Sequence, residues 1–255
     1  MSNPFKEGEL VLLADGRSGS IVRLVGRSVK IGGGRGSIGT DSLIGRSSGD
    51  RIAIGSREFM LLRPDVMDHL SSIERGPQII LPKDSSRIAF FLGIRSGDTV
   101  VEAGAGSGGL TLALLNSVWP DGKVITYDIR EDHLMFARSN VARTDMSLCW
   151  EGRIADVRSG IPDREVDAIA MDVPDPEKAV SAMEGSLKPG GRICCFVPTM
   201  NQVERCIMAL REGHYSGIEA VELIERKLSV KEGAVRPDTD MLGHTGYIII
   251  ARLSS

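Results

Sequence analysis

The stretch Val100-Val101-Glu102-Ala103-Gly104-Ala105-Gly106-Ser107-Gly108-Gly109-Leu110 constrains this chain more than any other. The β-branched run Thr99–Val101 reads as a buried strand, and the glycines permit a tight turn and close approach of backbone to a ligand. Leu110, Leu112, Leu114 and Leu115 then resume at helical spacing. Strand, glycine turn and helix in that order leave unpaired helix N–H groups at the mouth of a pocket.

The turn fits two ligand classes. Gly104, Gly106 and Gly109 satisfy the dinucleotide pattern G-x-G-x-x-G, while Glu102, Gly104, Gly106 and Gly108 satisfy the E/D-x-G-x-G-x-G pattern of S-adenosylmethionine enzymes. Spacing alone does not choose, so the rest of the chain must. From Thr99 onward strand-like runs at 99–102, 124–128, 147–150, 166–171 and 192–197 alternate with helical runs at 109–117, 131–142, 177–187 and 201–212, which predicts a doubly wound, mostly parallel α/β sheet. The end breaks the alternation: Ala220–Glu225 and Tyr247–Leu253 are strand-like with no helix between them, predicting a C-terminal antiparallel hairpin. That addition is usual in Rossmann-like S-adenosylmethionine methyltransferases and unusual in dehydrogenases.

Upstream, residues 1–63 carry twelve of the thirty glycines between short apolar runs, predicting a small N-terminal all-β domain. Residues 64–75 read as a linker with a short polar helix, and 76–255 as the α/β domain, whose first helix is expected to be capped by Asp84 or Ser85. Charge is uneven between these parts. Eight basic and two acidic residues between Arg17 and Arg57 make that segment +6, which leaves −9 for the remainder of a chain whose net charge is −3. Such asymmetry suits a phosphate-facing module on an acidic body, and scattered arginines on a solvated β surface give the same count. No apolar run approaches membrane-spanning length and the opening is no signal peptide, so a cytoplasmic protein without a membrane partner is expected. The four cysteines, Cys149, Cys194, Cys195 and Cys206, have no metal-ligand spacing and read as buried thiols, so no metal is expected.

Three carboxylates stand at strand ends. Asp128 closes the second strand, where an acidic side chain can accept ribose hydroxyls, and His133 follows in the next helical turn. Asp156, followed by Val157, comes after the third strand, where it can accept from an adenine amine. The fourth strand delivers Asp172-Val173-Pro174-Asp175-Pro176, whose prolines hold the carboxylate of Asp172 in place at the carboxyl end of the sheet, where ligands of open α/β sheets bind.

Gln78-Ile79-Ile80-Leu81-Pro82-Lys83-Asp84, the glycine turn, Asp172-Val173-Pro174-Asp175-Pro176, Pro198-Thr199-Met200-Asn201-Gln202-Val203 and Gly243-His244-Thr245-Gly246 together resemble the tRNA (adenine-N1)-methyltransferases that modify the T-loop adenine at position 58. The resemblance runs from residue 76 to the C-terminus. It implies S-adenosyl-L-methionine as cofactor, held by Ile80, Gly104, Gly106, Ser107, Gly108, Gly109, Asp128, His133, Asp156, Val157 and Asp172. It implies Asp172 as catalytic carboxylate, Gln78, His244 and Arg236 on the substrate, tRNA as partner and a homotetramer. Three positions depart from the family pattern: Leu81 replaces a frequent aromatic, Asp128 a more usual glutamate, and Asp240 a common basic residue. Three other readings stay open here. They are a methyltransferase for a small corrinoid precursor or a protein carboxylate, a non-catalytic RNA-binding subunit, and a nicotinamide dehydrogenase.

Overall fold

Hydrophobic alternation settles the N-terminal part first. The protein, a computed structural model, is described over residues 3–16, 19–31, 36–74, 76 and 79–254. Strands β1 (Leu10–Ala14), β2 (Gly19–Arg23), β3 (Ser28–Lys30), β4 (Ser37–Gly39), β5 (Arg51–Ile54) and β6 (Arg57–Leu62) come first. Four of them form an antiparallel sheet in the order β2-β1-β6-β5, and β3 pairs with β4. Phe5, Val11, Leu13, Leu24, Leu43, Phe59 and Leu61 close into their own core. Arg23 ties this sheet to the segment after the fourth α-helix: its guanidinium donates to Gly8 O, Thr144 O and Asp145 Oδ1.

Helix α1 (Val66–Ser71) starts where Asp65 accepts from the N–H groups of Met67 and Asp68 while the Asp68 carboxylate accepts from the Asp65 N–H, a reciprocal capping box. Helix α2 (Pro82–Leu92) begins earlier than the sequence suggests. Leu81 is the N-cap and Pro82 occupies the first helical position, where its fixed φ is already helical and its missing N–H costs nothing; Asp84 and Ser85 are buried inside the helix and do not cap it.

Then follow β7 (Thr99–Ala103), α3 (Gly109–Val118), β8 (Lys123–Asp128), α4 (Glu131–Val141), β9 (Trp150–Ile154), β10 (Val166–Met171), α5 (Val180–Glu184), β11 (Leu187–Val197), α6 (Met200–Glu212), β12 (Tyr215–Glu222), β13 (Leu228–Lys231), β14 (Ala234–Pro237) and β15 (Tyr247–Leu253). Seven strands make one sheet in the order β12-β15-β11-β10-β7-β8-β9. The pairs among β7 to β11 are parallel, and β15 is antiparallel to both β11 and β12. Both faces are covered, which is why these strands read as nearly continuous apolar runs. Val101, Ile169, Ile193 and Ile249 pack on one side; Val100, Ala168, Cys194 and Ile248 pack on the other.

Two expectations are corrected, and a third holds with an insertion. The run 147–150 is a 3-10 turn over Ser147–Cys149, and the strand starts at Trp150, the residue paired with Val124. The helix expected at 177–187 is a 3-10 turn at Pro176–Lys178 followed by the short α5, because Pro176 sets one end and Gly185 the other. The terminal pair β12 and β15 is antiparallel, and the hairpin β13–β14 interrupts it, turning at Gly233 with φ of 69°. Leu228, Val230 and Val235 of that hairpin are exposed.

Candidate active site

The sheet reverses its order between β7 and β10: β8 lies on one side of β7 and β10 on the other. Ligands of open α/β sheets collect at such a switch point. Register places Ala103 opposite Met171, so the glycine turn after β7 meets the Asp172 segment after β10. The Asp172 N–H donates to Ala103 O at 2.8 Å. Gly104, with φ of +95°, allows this approach, since a β-carbon there would stand 2.1 Å from the Asp172 carbonyl oxygen.

A cleft of about 440 Å³ opens above the turn, lined by Gly104, Gly106, Asp128, His133, Asp156, Val157 and Asp172 among others. Asp128 is nearly buried and already well used: Oδ1 accepts from Arg130 N at 2.9 Å, and Oδ2 from Ala105 N at 2.9 Å with His133 Nδ1 at 3.1 Å. A carboxylate has about four acceptor positions, so room remains for one donor, and a second enters when His133 turns away. Asp156 is bound in two places by Arg158, whose Nε and Nη2 donate to it, and this pairing together with the Arg158 N–H holds its carboxyl below the usual range. Ser107, Gly108 and Gly109 are not among the residues that line the cleft. The Ser107 hydroxyl accepts from Gly76 N and its carbonyl from Asn140, and a β-carbon on Gly109 would stand 2.5 Å from Ile79 Cγ1. They seat the helix against the 79–80 segment.

A second cavity, about 410 Å³, is lined by Ile80, Leu81, Asp84, Phe196, Leu242 and His244, and Asp172 forms part of its wall as well. Ile80 therefore belongs to this cavity. His244 sits between Glu222 Oε1, 2.7 Å from Nδ1, and Pro198 O, 2.8 Å from Nε2. Both partners are acceptors, so these two bonds, that to Glu222 first, favour the charged ring and raise its pKa above the usual 6.5. Both ring nitrogens of His244 are thus engaged with the protein, and the ring is tilted against Tyr247 with centroids 4.9 Å apart.

Asp172 stands in the wall between the two cavities. Its carboxylate makes no hydrogen bond or ion pair with any described residue. Burial, and then the charge of Asp128, push its pKa up to about 6. Behind it Glu102 is fully buried, with Oε2 accepting from Thr111 and Thr126, and burial pushes it up to about 8.

The cleft fits S-adenosylmethionine by the chemistry of its groups. Asp172 is a free carboxylate to face a sulfonium, Asp128 keeps an acceptor for a hydroxyl, and Ile129 and Val157 offer apolar surface to an adenine. Among the described residues no cluster suited to a metal ion exists, and all four cysteines are free thiols. Arg236 lies on the exposed hairpin and lines neither cavity, and Gln78 falls outside the described residues. Sequence reasoning missed Arg130, Arg158 and Asp175 on the cleft rim, and Asp84 and Phe196 in the second cavity. The rim residues had a signal, since each closely follows a strand or turn that opens on the carboxyl end of the sheet.

A family model described as tRNA methyltransferase complex GCD14 subunit matches residues 69–238. The chain belongs to this family. A relative from Methanocaldococcus jannaschii named tRNA (adenine(57)-N(1)/adenine(58)-N(1))-methyltransferase TrmI is 39% identical over 221 residues, covering 76% of this chain and 78% of that protein. The solved tRNA (m1A58) methyltransferase TrmI of Aquifex aeolicus is 26% identical, with a TM-score of 0.76 over 99% of this chain and all of that one. A Thermotoga maritima structure described as a SAM-dependent O-methyltransferase is 31% identical, with a TM-score of 0.83 over 98% and 95% of the two chains. Both solved structures align with nearly the whole of this chain, the N-terminal β unit as well as the α/β sheet.

Proposed function

We propose that this chain transfers the methyl group of S-adenosylmethionine to N1 of the T-loop adenine at position 58 of tRNA. One observation carries the reading: a carboxylate with no partner among the described residues, Asp172, is common to the cofactor cleft and to a neighbouring cavity of about 410 Å³. When bound, the cofactor supplies an electrophilic methyl group on a sulfonium. Adenine N1 already offers a lone pair, so no base has to remove a proton before attack. Asp172 accepts a hydrogen bond from the exocyclic amine, which raises electron density at N1 and stabilises the positive charge that develops on the ring. Ile80, Leu81, Phe196 and Leu242 exclude water around it. A T-loop adenine must leave its stack to enter, as bases do in enzymes that modify them.

The basic N-terminal unit is assigned to the tRNA backbone, with residues 1–63 as one domain, 64–75 as linker and 76–255 as the methyltransferase domain. Arg27, Lys30 and Arg46 are exposed and have no ion-pair partner among the described residues, whereas Arg23, Arg51 and Arg57 are paired with Asp145, Glu58 and Asp15. A homotetramer, in which the exposed apolar hairpin is covered by another copy, and a cytoplasmic location complete the reading. No helix among the described residues is long and apolar enough to cross a membrane.

The test is incubation of the purified protein with methyl-labelled S-adenosylmethionine and unmodified tRNA transcript, followed by nucleoside mass spectrometry. The expected product is 1-methyladenosine, lost when the T-loop adenine is replaced. Label absent from RNA while the cofactor binds would move the assignment to a small-molecule or protein acceptor.

A further inference from the structure

The second cavity holds a carboxylate that the mechanism above does not use. Asp84, in the first turn of α2, is fully buried and forms part of the cavity wall. Its Oδ1 accepts from Lys83 Nζ at 2.7 Å. The same ammonium donates to Leu223 O at 2.8 Å and to Thr245 Oγ1 at 2.7 Å, so its three N–H bonds are all committed. Asp84 Oδ2 has no donor among the described residues. A buried carboxylate oxygen left without a donor is costly, and Lys83 cannot serve it without abandoning a partner. His244 has no ring nitrogen to offer, because Nδ1 is engaged with Glu222 and Nε2 with Pro198 O.

The rest of the cavity lining is mostly apolar, formed by Ile80, Leu81, Phe196 and Leu242 among others, with His244 and Thr245 as its other polar side chains. Asp84 and Asp172 are the two carboxylates this cavity offers to an incoming group, beside the Thr245 hydroxyl that already accepts from Lys83. An adenosine brings three donors, the two amine hydrogens and the ribose 2′-hydroxyl, and they lie at opposite ends of the nucleoside, so a second acceptor in the same cavity has a donor to meet.

We propose that Asp84 is a substrate-binding residue whose Oδ2 accepts a hydrogen bond from the target nucleotide, either from the second amine hydrogen or from the ribose 2′-hydroxyl. The inference rests on the reading of this cavity as the adenosine site. Asp172 then acts on the reacting ring while Asp84 fixes how the nucleotide sits, and Lys83 holds Asp84 in place.

Single-turnover methylation by the wild type and by Asp84→Asn is measured on three tRNAs whose target is adenosine, 2′-deoxyadenosine or N6-methyladenosine. Cofactor affinity and melting temperature are followed in parallel. Asn keeps an oxygen for Lys83 and loses the anionic acceptor. On the adenosine tRNA the variant is expected to lose about 10- to 100-fold in rate at subsaturating tRNA, with cofactor affinity unchanged. That loss is expected to fall below about twofold on the analogue that lacks the donor, which identifies the donor. An equal loss on all three tRNAs means a structural role and overturns the proposal, as does no loss on any. Asp84→Ser, which also leaves an oxygen for Lys83, replaces the variant if Asp84→Asn does not fold. A wild type that forms no 1-methyladenosine overturns the functional reading and this inference together, whereas an active wild type with an indifferent variant overturns the inference alone.

Discussion

The carbonyl oxygen of Asp172 lies 2.1 Å from the point where a β-carbon on Gly104 would stand. The turn that floors the cofactor cleft and the segment that carries the free carboxylate are therefore one packed unit, and any side chain at 104 drives them apart. Gly104 also has φ of +95°, which L-residues avoid. Gly104→Ala is expected to cost about 2–4 kcal/mol of stability and to abolish measurable cofactor binding. Denaturant unfolding and calorimetry check both.

Asp172 gives a prediction with two readouts. Asp172→Asn is expected to lower the single-turnover rate by about 10²–10³-fold while the cofactor still binds, because its acceptor is engaged with the base as charge develops. In the wild type the carboxylate must be ionised to accept, and burial pushes its pKa up to about 6. The rate should rise as pH climbs through that value and level off above it. Near-normal turnover in the variant contradicts the role assigned here.

Glu102 makes stability depend on pH. Its carboxyl is pushed up to about 8 in the folded protein from an ordinary 4.5, chiefly by burial, with the hydroxyls of Thr126 and Thr111 opposing. The stabilising contribution of this group is therefore complete below pH 4.5 and is lost as pH rises toward 8. Its share of the slope in that window is about 1.4 kcal/mol per pH unit. Denaturant titrations at several pH values measure the slope, and Glu102→Gln should flatten it.

His244 should titrate above 6.5, since the carboxylate of Glu222, and then the Pro198 carbonyl, favour its charged form. Proton-detected NMR of the ring, following pH, checks this. Glu222→Gln removes the larger cause and should move the midpoint downward. A midpoint unmoved by that change means that the pair does not form in solution.

Arg27, Lys30 and Arg46 are exposed cations of the N-terminal unit with no ion-pair partner among the described residues. Replacing all three with Ala is expected to weaken tRNA binding uniformly across tRNAs. The slope of log affinity against log salt should fall by up to about three, one for each phosphate no longer neutralised. Filter binding over a salt series measures it, and an unchanged slope removes this surface from the interface.

Much of this was legible in sequence because it depends on neighbours along the chain. The β-branched run Thr99–Val101, the glycines at 104 to 109 and the leucines after them fix strand, turn and helix within a dozen residues. The end of β8 at Asp128 and of β10 just before Asp172 followed in the same way. What failed was also local: Pro82 outcompeted the expected cap at Asp84, and the apolar residues of the 228–237 hairpin were too sparse to announce two strands.

What the sequence by itself determined is thus the α/β class, the glycine turn and the set of strand-end carboxylates, since each is dictated by periodicity and backbone freedom over a few residues. Tertiary structure decided where the carboxylate without a local partner stands. Asp128 and Asp156 are committed to Arg130, His133 and Arg158, while Asp172 is left unpaired in a wall common to two cavities. It likewise decided that Lys83 reaches Leu223 and Thr245, residues 140 and 162 positions away, and so leaves Asp84 with an open oxygen. Contacts at such separations come from strand order and from the reversal between β7 and β10, and no local pattern encodes them.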